Sequence, residues 1–370
     1  MTDYCELAVP GVRSLQPYQP GKPIDELQRE YGLTEIIKLA SNENPLGPSP
    51  LAIAAVIEEL DELARYPDGN GFELKSKLAR FLNIEATQIT LGNGSNDILE
   101  FVARTFVQPG QEVIFSEYSF AVYPLVTQAI GANAKVVPAI NWGHDLDGML
   151  KQINSKTRLI FIANPNNPTG TWLKKQVLID FLRQVPENVL VVLDEAYFEY
   201  AHHPVTGIND YPNGIELLPE FENLIVTRTF SKAYGLAGLR AGYGISNKII
   251  ADLLNRVRQP FNVNSLALAG ACAALDDLEH LEKSIQVNKD GLEQLTTAFN
   301  SLSLEYIPTA GNFLSFDLGQ AAQPVYLELL KRGVIVRPVA NYSMPNHLRV
   351  TIGTLLENEM FINALKEILK

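Results

Sequence analysis

The sequence predicts an α/β fold, with a large domain built on a mostly parallel sheet between helices and a smaller α+β domain. Three observations carry this expectation. At 370 residues the chain is long enough for roughly two and a half domains of about 150 residues. From Ile89 onward, short apolar, β-branched runs alternate with helical stretches, the pattern of a parallel sheet covered on both faces. Beyond about residue 260 the order changes to long helical stretches, then strands, then a closing helix.

Taken in order, the segment from Tyr4 to Gly32 carries Pro10, Pro17, Pro20 and Pro23. It reads as an extended arm ending in a short helix over 24–31. Apolar spacing predicts helices over 51–63 and 72–81. Strands are expected at 89–91, 112–116, 134–138, 159–163, 189–193 and 224–229. Helices between them are expected at 96–106, 122–130, 174–184 and near Leu236. The last part predicts helices over 265–274 and 278–299, strands at 313–317, 334–338 and 348–352, and a helix over 357–369. The expected division is 1–44 as N-terminal arm and part of the small domain, 45–260 as the large domain and 261–370 as the small C-terminal domain.

Composition narrows the function. Thirty basic against 42 acidic residues leave a net charge of -12, and without a basic run such a surface repels phosphate backbones. Nucleic acid is therefore not an expected partner. Two cysteines, Cys5 and Cys272, and five histidines supply neither a disulfide framework nor a zinc site. The His202-His203 pair is a poor chelate and Cys272 lies in a run of small residues, so no metal is expected and Cys272 reads as packing. Residues 1–10 show no basic region followed by an apolar stretch, and no apolar run approaches the roughly 20 residues that span a bilayer. The expectation is a soluble, cytoplasmic protein with no membrane partner.

The strongest local signal is Thr229-Phe230-Ser231-Lys232-Ala233-Tyr234-Gly235, with Gly238-Leu239-Arg240 close behind. A lysine just after an apolar strand suits imine chemistry, because burial lowers its pKa and frees the amine. Ser231, Thr229 and Arg240 would supply phosphate donors around it. A lone lysine at a strand end is usually a surface residue, so its companions decide. Asp194 ends the apolar run 189–193, where ligands of parallel sheets bind, although an N-cap would explain it too. Asn164-Pro165-Asn166-Asn167-Pro168-Thr169-Gly170 follows another strand and is longer than a turn requires. Gly92-Asn93-Gly94-Ser95-Asn96-Asp97 opens a helix as phosphate-binding turns do. Asp97 stands where the third glycine of a dinucleotide fingerprint belongs, so a single phosphate fits better than a pyrophosphate.

In that order, Asn167-Pro168-Thr169-Gly170, Asp194 with Tyr197, and Ser231-Lys232 before Arg240 resemble a fold-type I pyridoxal-phosphate-dependent aminotransferase over nearly the whole chain. Within that superfamily the sequence is similar to the histidinol-phosphate aminotransferases. The residues that carry this are 17–23 (Pro-Tyr-Gln-Pro-Gly-Lys-Pro), 41–47 (Ser-Asn-Glu-Asn-Pro-Leu-Gly), Arg65-Tyr66-Pro67-Asp68 and Leu348-Arg349-Val350.

The resemblance implies pyridoxal 5'-phosphate as cofactor, with Lys232 carrying it covalently and later shuttling a proton. Asp194 would pair with the ring nitrogen, and Asn167 and Tyr197 with the ring oxygen. Ser95, Asn96, Ser231 and Arg240 would hold the phosphate, with Thr229 a further candidate. Alignment places Phe120 against the ring, while Tyr118 and Tyr123 read equally as core aromatics. Arg349 would grip the substrate, and Tyr18 would close over it. Asn44 lies in the 41–47 motif, and Arg337 is either a second anchor or an ion-pair member. Tyr66 would complete the neighbouring subunit's site, which implies a homodimer. The implied reaction is transamination between L-histidinol phosphate and 2-oxoglutarate, giving L-glutamate. An aromatic amino-acid substrate is the alternative, and a related phospho-amino-acid decarboxylase or a nicotinamide-dependent dehydrogenase is more distant.

Overall fold

The computed structural model describes residues 2–18, 20–204 and 207–370, so Gln19 of the 17–23 motif lies outside the described residues. Among them twelve strands form three sheets. In chain order they are β1 (Ile37–Lys38), β2 (Ile89–Asn93), β3 (Glu112–Ser116), β4 (Asn133–Val137), β5 (Thr157–Ala163), β6 (Leu190–Asp194), β7 (Leu224–Thr229), β8 (Ala241–Ile245), β9 (Phe313–Asp317), β10 (Val334–Ile335), β11 (Arg337–Pro338) and β12 (His347–Thr351).

The large sheet has the order β2-β8-β7-β6-β5-β3-β4. Only β8 runs against its neighbours. Its central strands are apolar on both faces because helices cover both: Ile160, Ile162, Val191 and Leu193 face one core, and Leu159, Phe161, Val192 and Ile225 face the other. The helix Ser95–Phe106 buries Ile98, Leu99 and Val102 in the second of these.

Strand β8 was not among the expected elements, since Ala241-Gly242-Tyr243-Gly244-Ile245 offers few side chains to read. The glycines are required by contact: a Cβ on Gly242 would stand 2.3 Å from the Ser95 nitrogen, and one on Gly244 2.6 Å from the Ile98 side chain. The helix expected near Leu236 is a short 3-10 turn, Ala237–Leu239. The arm is not wholly extended, having helical turns at Tyr4–Leu7 and Pro10–Arg13 before the helix Ile24–Tyr31. The helix expected over 51–63 ends at Glu58 and continues as a 3-10 turn, Glu59–Glu62. Helices Leu146–Gln152, Lys248–Val257 and Ala322–Lys331 were not foreseen.

A second core gathers β9, β11 and β12 with the helices Leu278–Ser301, Ala322–Lys331 and Leu355–Ile368. Phe299, Phe316 and Phe361 are fully buried at its centre. Ile37 and Leu39 join it from the N-terminal segment, where β1 pairs in parallel with β10. The expected strand 334–338 is therefore two strands serving different sheets: 334–335 bonds β1, and 337–338 bonds β12. The change of core does not fall at 260. Val263, Ala267, Ala271, Cys272 and Leu275 pack with the large sheet, and the chain passes to the second core along the helix Leu278–Ser301.

Behind the sheet edge lies a buried ion pair. Glu195 Oε2 accepts from Arg228 Nε at 2.9 Å and from its Nη2 at 2.8 Å, and Glu195 Oε1 accepts from the Gly214 N–H at 2.8 Å. The guanidinium lies 3.4 Å from the Phe198 ring centroid. Removing one partner strands the other charge. Glu195→Ala is therefore expected to lower stability by about 3–5 kcal/mol, read as the shift in a chemical denaturation midpoint. A change below about 1 kcal/mol would mean that the pair is not holding the strand ends.

Candidate active site

Every parallel strand of the large sheet ends on one edge, and the candidate residues follow those ends. Gly94 follows β2, Asn164 follows β5, Asp194 closes β6 and Thr229 closes β7. Because β8 is antiparallel it begins where the others finish, with Ala241 beside Asn93 and Gly242 beside Thr229. Arg240 thus reaches the same edge as the glycine turn. Arg240 and Gly94, 146 positions apart in sequence, meet only through that pairing.

A cavity of about 370 Å³ opens there, lined by Ser95, Asn96, Phe120, Asn167, Asp194, Tyr197, Thr229, Ser231, Lys232, Arg240 and Arg349 among the expected residues. Tyr18, half exposed, stands at its wall. Ser41, Asn42 and Tyr342 also line it and were not foreseen.

One end is built for an anion. The helix Ser95–Phe106 starts at Gly94 with no side chain capping it, which leaves first-turn N–H groups for a ligand. A Cβ on Gly94 would stand 2.6 Å from Arg240 Nη2, so only glycine lets the guanidinium lie over the turn. Thr229 Oγ1 donates to Ser231 Oγ at 3.0 Å and accepts from the Ser231 N–H at 3.1 Å, holding both hydroxyls in place. Asp97, the residue that broke the dinucleotide fingerprint, clamps the turn: its Oδ2 accepts from the Asn93 N–H at 2.8 Å and from Asn262 Nδ2 at 3.0 Å. This cup suits one phosphate group.

Deeper in the cavity, Asp194 accepts from Thr227 Oγ1 at 3.0 Å and from Tyr123 Oη at 2.8 Å. Burial pushes its carboxyl up, and those hydrogen bonds, with one from the Ala196 N–H, oppose the rise. Such a carboxylate suits a protonated heteroaromatic nitrogen. Tyr197 Oη accepts from Asn42 Nδ2 at 2.8 Å and from Asn167 Nδ2 at 3.2 Å. Burial pushes this phenol up to about 12, so it stays a donor. Phe120 lines the wall and meets Tyr123 edge to face, with centroids 6.0 Å apart.

Lys232 Nζ donates to the Ser41 carbonyl at 3.0 Å. Burial lowers its pKa to about 8, with the Arg349 and Arg240 charges adding to the fall and Glu43 opposing it. The amine is thus substantially neutral near pH 8, as a nucleophile must be.

Arg349 sits where the second core meets the cavity. Its Nη1 donates to Asn167 Oδ1 at 2.6 Å and its Nη2 to the Ala40 carbonyl at 2.8 Å, while its buried Nε has no hydrogen-bond partner. Arg337 lies directly opposite in the antiparallel pairing of β11 and β12. Two buried cations in register repel, and an anion reaching them would offset that. Arg337 does not line the cavity itself, and its guanidinium stands 5.6 Å from the centroid of Tyr18.

Two further expected residues also stand outside it. Asn44 Nδ2 donates to the Ala233 carbonyl and to Ser284 Oγ, both at 2.8 Å, bracing the chain after Lys232 from behind. Asn42, in the left-handed region at φ 55°, is the motif residue facing the cavity. Tyr66 is 82% exposed and outside the cavity of its own chain, its ring stacked on Phe261 at 4.7 Å. Tyr123 is the residue that sequence reasoning set aside. Its position three after Phe120, on the helix Val122–Ala129 that follows, was the available signal.

The pattern shared by class I and II aminotransferases matches residues 34–365. The chain belongs to that family. It is 62% identical over 369 residues to histidinol-phosphate aminotransferase 2 of Pseudomonas fluorescens, covering 99% of this chain and 98% of that one. It is 58% identical over 371 residues to histidinol-phosphate aminotransferase 2 of Pseudomonas aeruginosa, covering 100% and 99%. The crystal structure of histidinol-phosphate aminotransferase from Sinorhizobium meliloti, in complex with pyridoxal-5'-phosphate, superposes with a TM-score of 0.89 at 29% identity, covering 97% and 96%. In the family's terms the large sheet and its edge are the fold-type I aminotransferase frame.

The depressed lysine makes a pH test. Competitive acylation of the protein without added cofactor, read by mass spectrometry, should label Lys232 with a half-maximal rate near pH 8. Protonation suppresses the reaction below that value, and the rate levels off above it. A midpoint near the ordinary lysine value of about 10.4 would mean that the cavity does not depress this amine. Stability follows the same linkage. Between about pH 8 and 10.5 the unfolded lysine holds the proton that the folded one has lost, so this group's contribution rises with pH there.

Proposed function

We propose that this protein is a pyridoxal-phosphate-dependent transaminase acting between L-histidinol phosphate and 2-oxoglutarate in histidine biosynthesis. The observation that carries the reading is the convergence of Lys232, Asp194, Asn167 and Tyr197 with a single-phosphate cup on one cavity. The relatives at 62% and 58% identity, both named histidinol-phosphate aminotransferase, give the substrate and disfavour the aromatic-amino-acid alternative.

The residues present fit pyridoxal 5'-phosphate. Ser95 and Asn96 would meet its phosphate by backbone N–H, with Ser231, Thr229 and Arg240 around it. Asp194 would meet its ring nitrogen, Asn167 and Tyr197 its ring oxygen, and Phe120 its ring face. When bound, the cofactor supplies an aldehyde that takes up the amino group and a ring that withdraws electrons from the carbon bearing it.

The chain's own groups do the rest. Lys232, neutral for a large fraction of the time near pH 8, would hold the cofactor and could accept a proton at Nζ. Asp194, held by its hydrogen-bond donors, would pair with the ring nitrogen and keep it protonated. Arg349 exchanges its bond to Asn167 for a substrate anion, and its unpartnered Nε is a further donor. Arg337 adds charge behind it, and Tyr18 covers the mouth. Two substrates use one site in turn, so the kinetics are ping-pong.

A homodimer with shared sites is part of the proposal. Leu51, Ile53, Ile57, Leu60 and Leu63 are exposed on one stretch of chain beside exposed Tyr66 and Phe72. A run of exposed apolar side chains like this fits an interaction surface, and Tyr66 would enter the neighbouring cavity from there. A cytoplasmic location goes with the free thiols Cys5 and Cys272. Among the described residues no helix is long and apolar enough to cross a membrane.

Stopped-flow spectroscopy without an oxo acid tests the substrate. Histidinol phosphate should bleach the cofactor's visible band, and phenylalanine should do so at least about a hundredfold more slowly. Equal rates would move the assignment to an aromatic aminotransferase. Lys232→Ala should bind cofactor but lose turnover, and full activity there would end the transaminase reading. Mixing inactive Lys232→Ala with inactive Tyr66→Ala should restore about a quarter of wild-type activity, as random pairing of subunits with shared sites requires. No recovery after subunit exchange would remove Tyr66 from the partner's site.

A further inference from the structure

Tyr123 is not assigned to the cavity by the family motif, yet it is the largest fully buried side chain in the described protein. Its ring is stacked on Phe161, with centroids 4.6 Å apart and planes 6° from parallel, and Phe161 belongs to β5 at the centre of the large sheet. A phenol buried this completely needs a partner for its hydroxyl. The partner is Asp194 Oδ2 at 2.8 Å. The other carboxylate oxygen is held by Thr227 Oγ1 at 3.0 Å, from the residue in register with Asp194 on the neighbouring strand.

We propose that Tyr123 is a positioning residue for cofactor binding, donating a hydrogen bond that keeps Asp194 ionised and aimed at the nitrogen it must pair with. This rests on the reading that the cavity takes pyridoxal phosphate. A carboxylate with a side-chain hydroxyl donating to each oxygen and the Ala196 N–H beside them is favoured in its charged form and rotationally fixed. The charges around it do not replace this hydroxyl. Lys232 lies on the cavity side and loses its charge near pH 8, Tyr197 is a phenol whose oxygen is engaged by Asn42 and Asn167, and Glu195 is a like charge paired to Arg228. Burial holds the Tyr123 hydroxyl far above its ordinary pKa, so it remains a donor throughout the working range.

The test is Tyr123→Phe, which removes one oxygen and keeps the ring stacked. Difference infrared spectroscopy of the protein without cofactor follows the carboxylic acid band of Asp194, identified by its loss in Asp194→Asn. The expected result is a protonation midpoint raised by about one to two pH units relative to wild type, the worth of one hydrogen bond to a charged group. Pyridoxal phosphate titrated into the same variant should bind about tenfold more weakly, with its visible band titrating at a shifted pH. Thr227→Val, which removes the other hydroxyl donor, should move the midpoint in the same direction. An unmoved midpoint together with unchanged cofactor affinity in Tyr123→Phe would overturn the proposal. If wild-type protein took up no pyridoxal phosphate at all, the functional reading would fail, while the infrared midpoint would still decide what Tyr123 does to Asp194.

Discussion

The structure depends most on keeping one negative charge inside a protein. Asp194 is 5% exposed at the end of a strand whose other residues are almost all apolar. A buried carboxylate left to itself takes up a proton, and a neutral acid would not hold a protonated ring nitrogen. The fold answers with donors that arrive from three places: Thr227 from the adjacent strand, Tyr123 from the helix after β3, and the Ala196 N–H from the turn beyond. On the opposite face, where Glu195 points, the same strand pair is cross-linked by Arg228. Alternation along β6 and β7 therefore places a reactive pair on one side and a bracing pair on the other.

The second constraint is that neither core contains the cavity alone. Lys232, Asp194 and the phosphate cup belong to the large sheet, while Arg349 and Arg337 come from the sheet of β11, β12 and β9. Three of the hydrogen bonds crossing between them are made by residues that would touch ligand: Arg349 to Asn167, Asn42 to Tyr197 and Lys232 to the Ser41 carbonyl. A substrate anion would replace the first of these. Binding then exchanges one contact across the junction for another.

Much of this was legible in the sequence because motif residues must sit at strand ends, and strand ends follow from apolar runs. The apolar runs of the large sheet other than β8, the phosphate turn, Asp194, Asn167 and Lys232 could all be placed that way. Strand β8 escaped because Gly242 and Gly244 serve their neighbours, Ser95 and Ile98, instead of showing a pattern of their own. Asn42 and Asn44 share one motif, and only the turn at Asn42 decides which side chain faces the cavity. Ser265–Ala274 was assigned to the smaller unit because a helix of small residues carries no mark of the surface it packs on.

The sequence by itself determined the fold class, the order of the elements and the chemistry of the lysine and its companions. These depend on local period and residue type, which are properties of the chain. Tertiary structure alone decided that Arg240 meets Gly94, that Arg337 opposes Arg349 and that the Tyr123 hydroxyl ends on Asp194. Each is a contact between residues distant in sequence or on different elements, set by strand order and register. The energy of such a contact exists only once the intervening chain is packed.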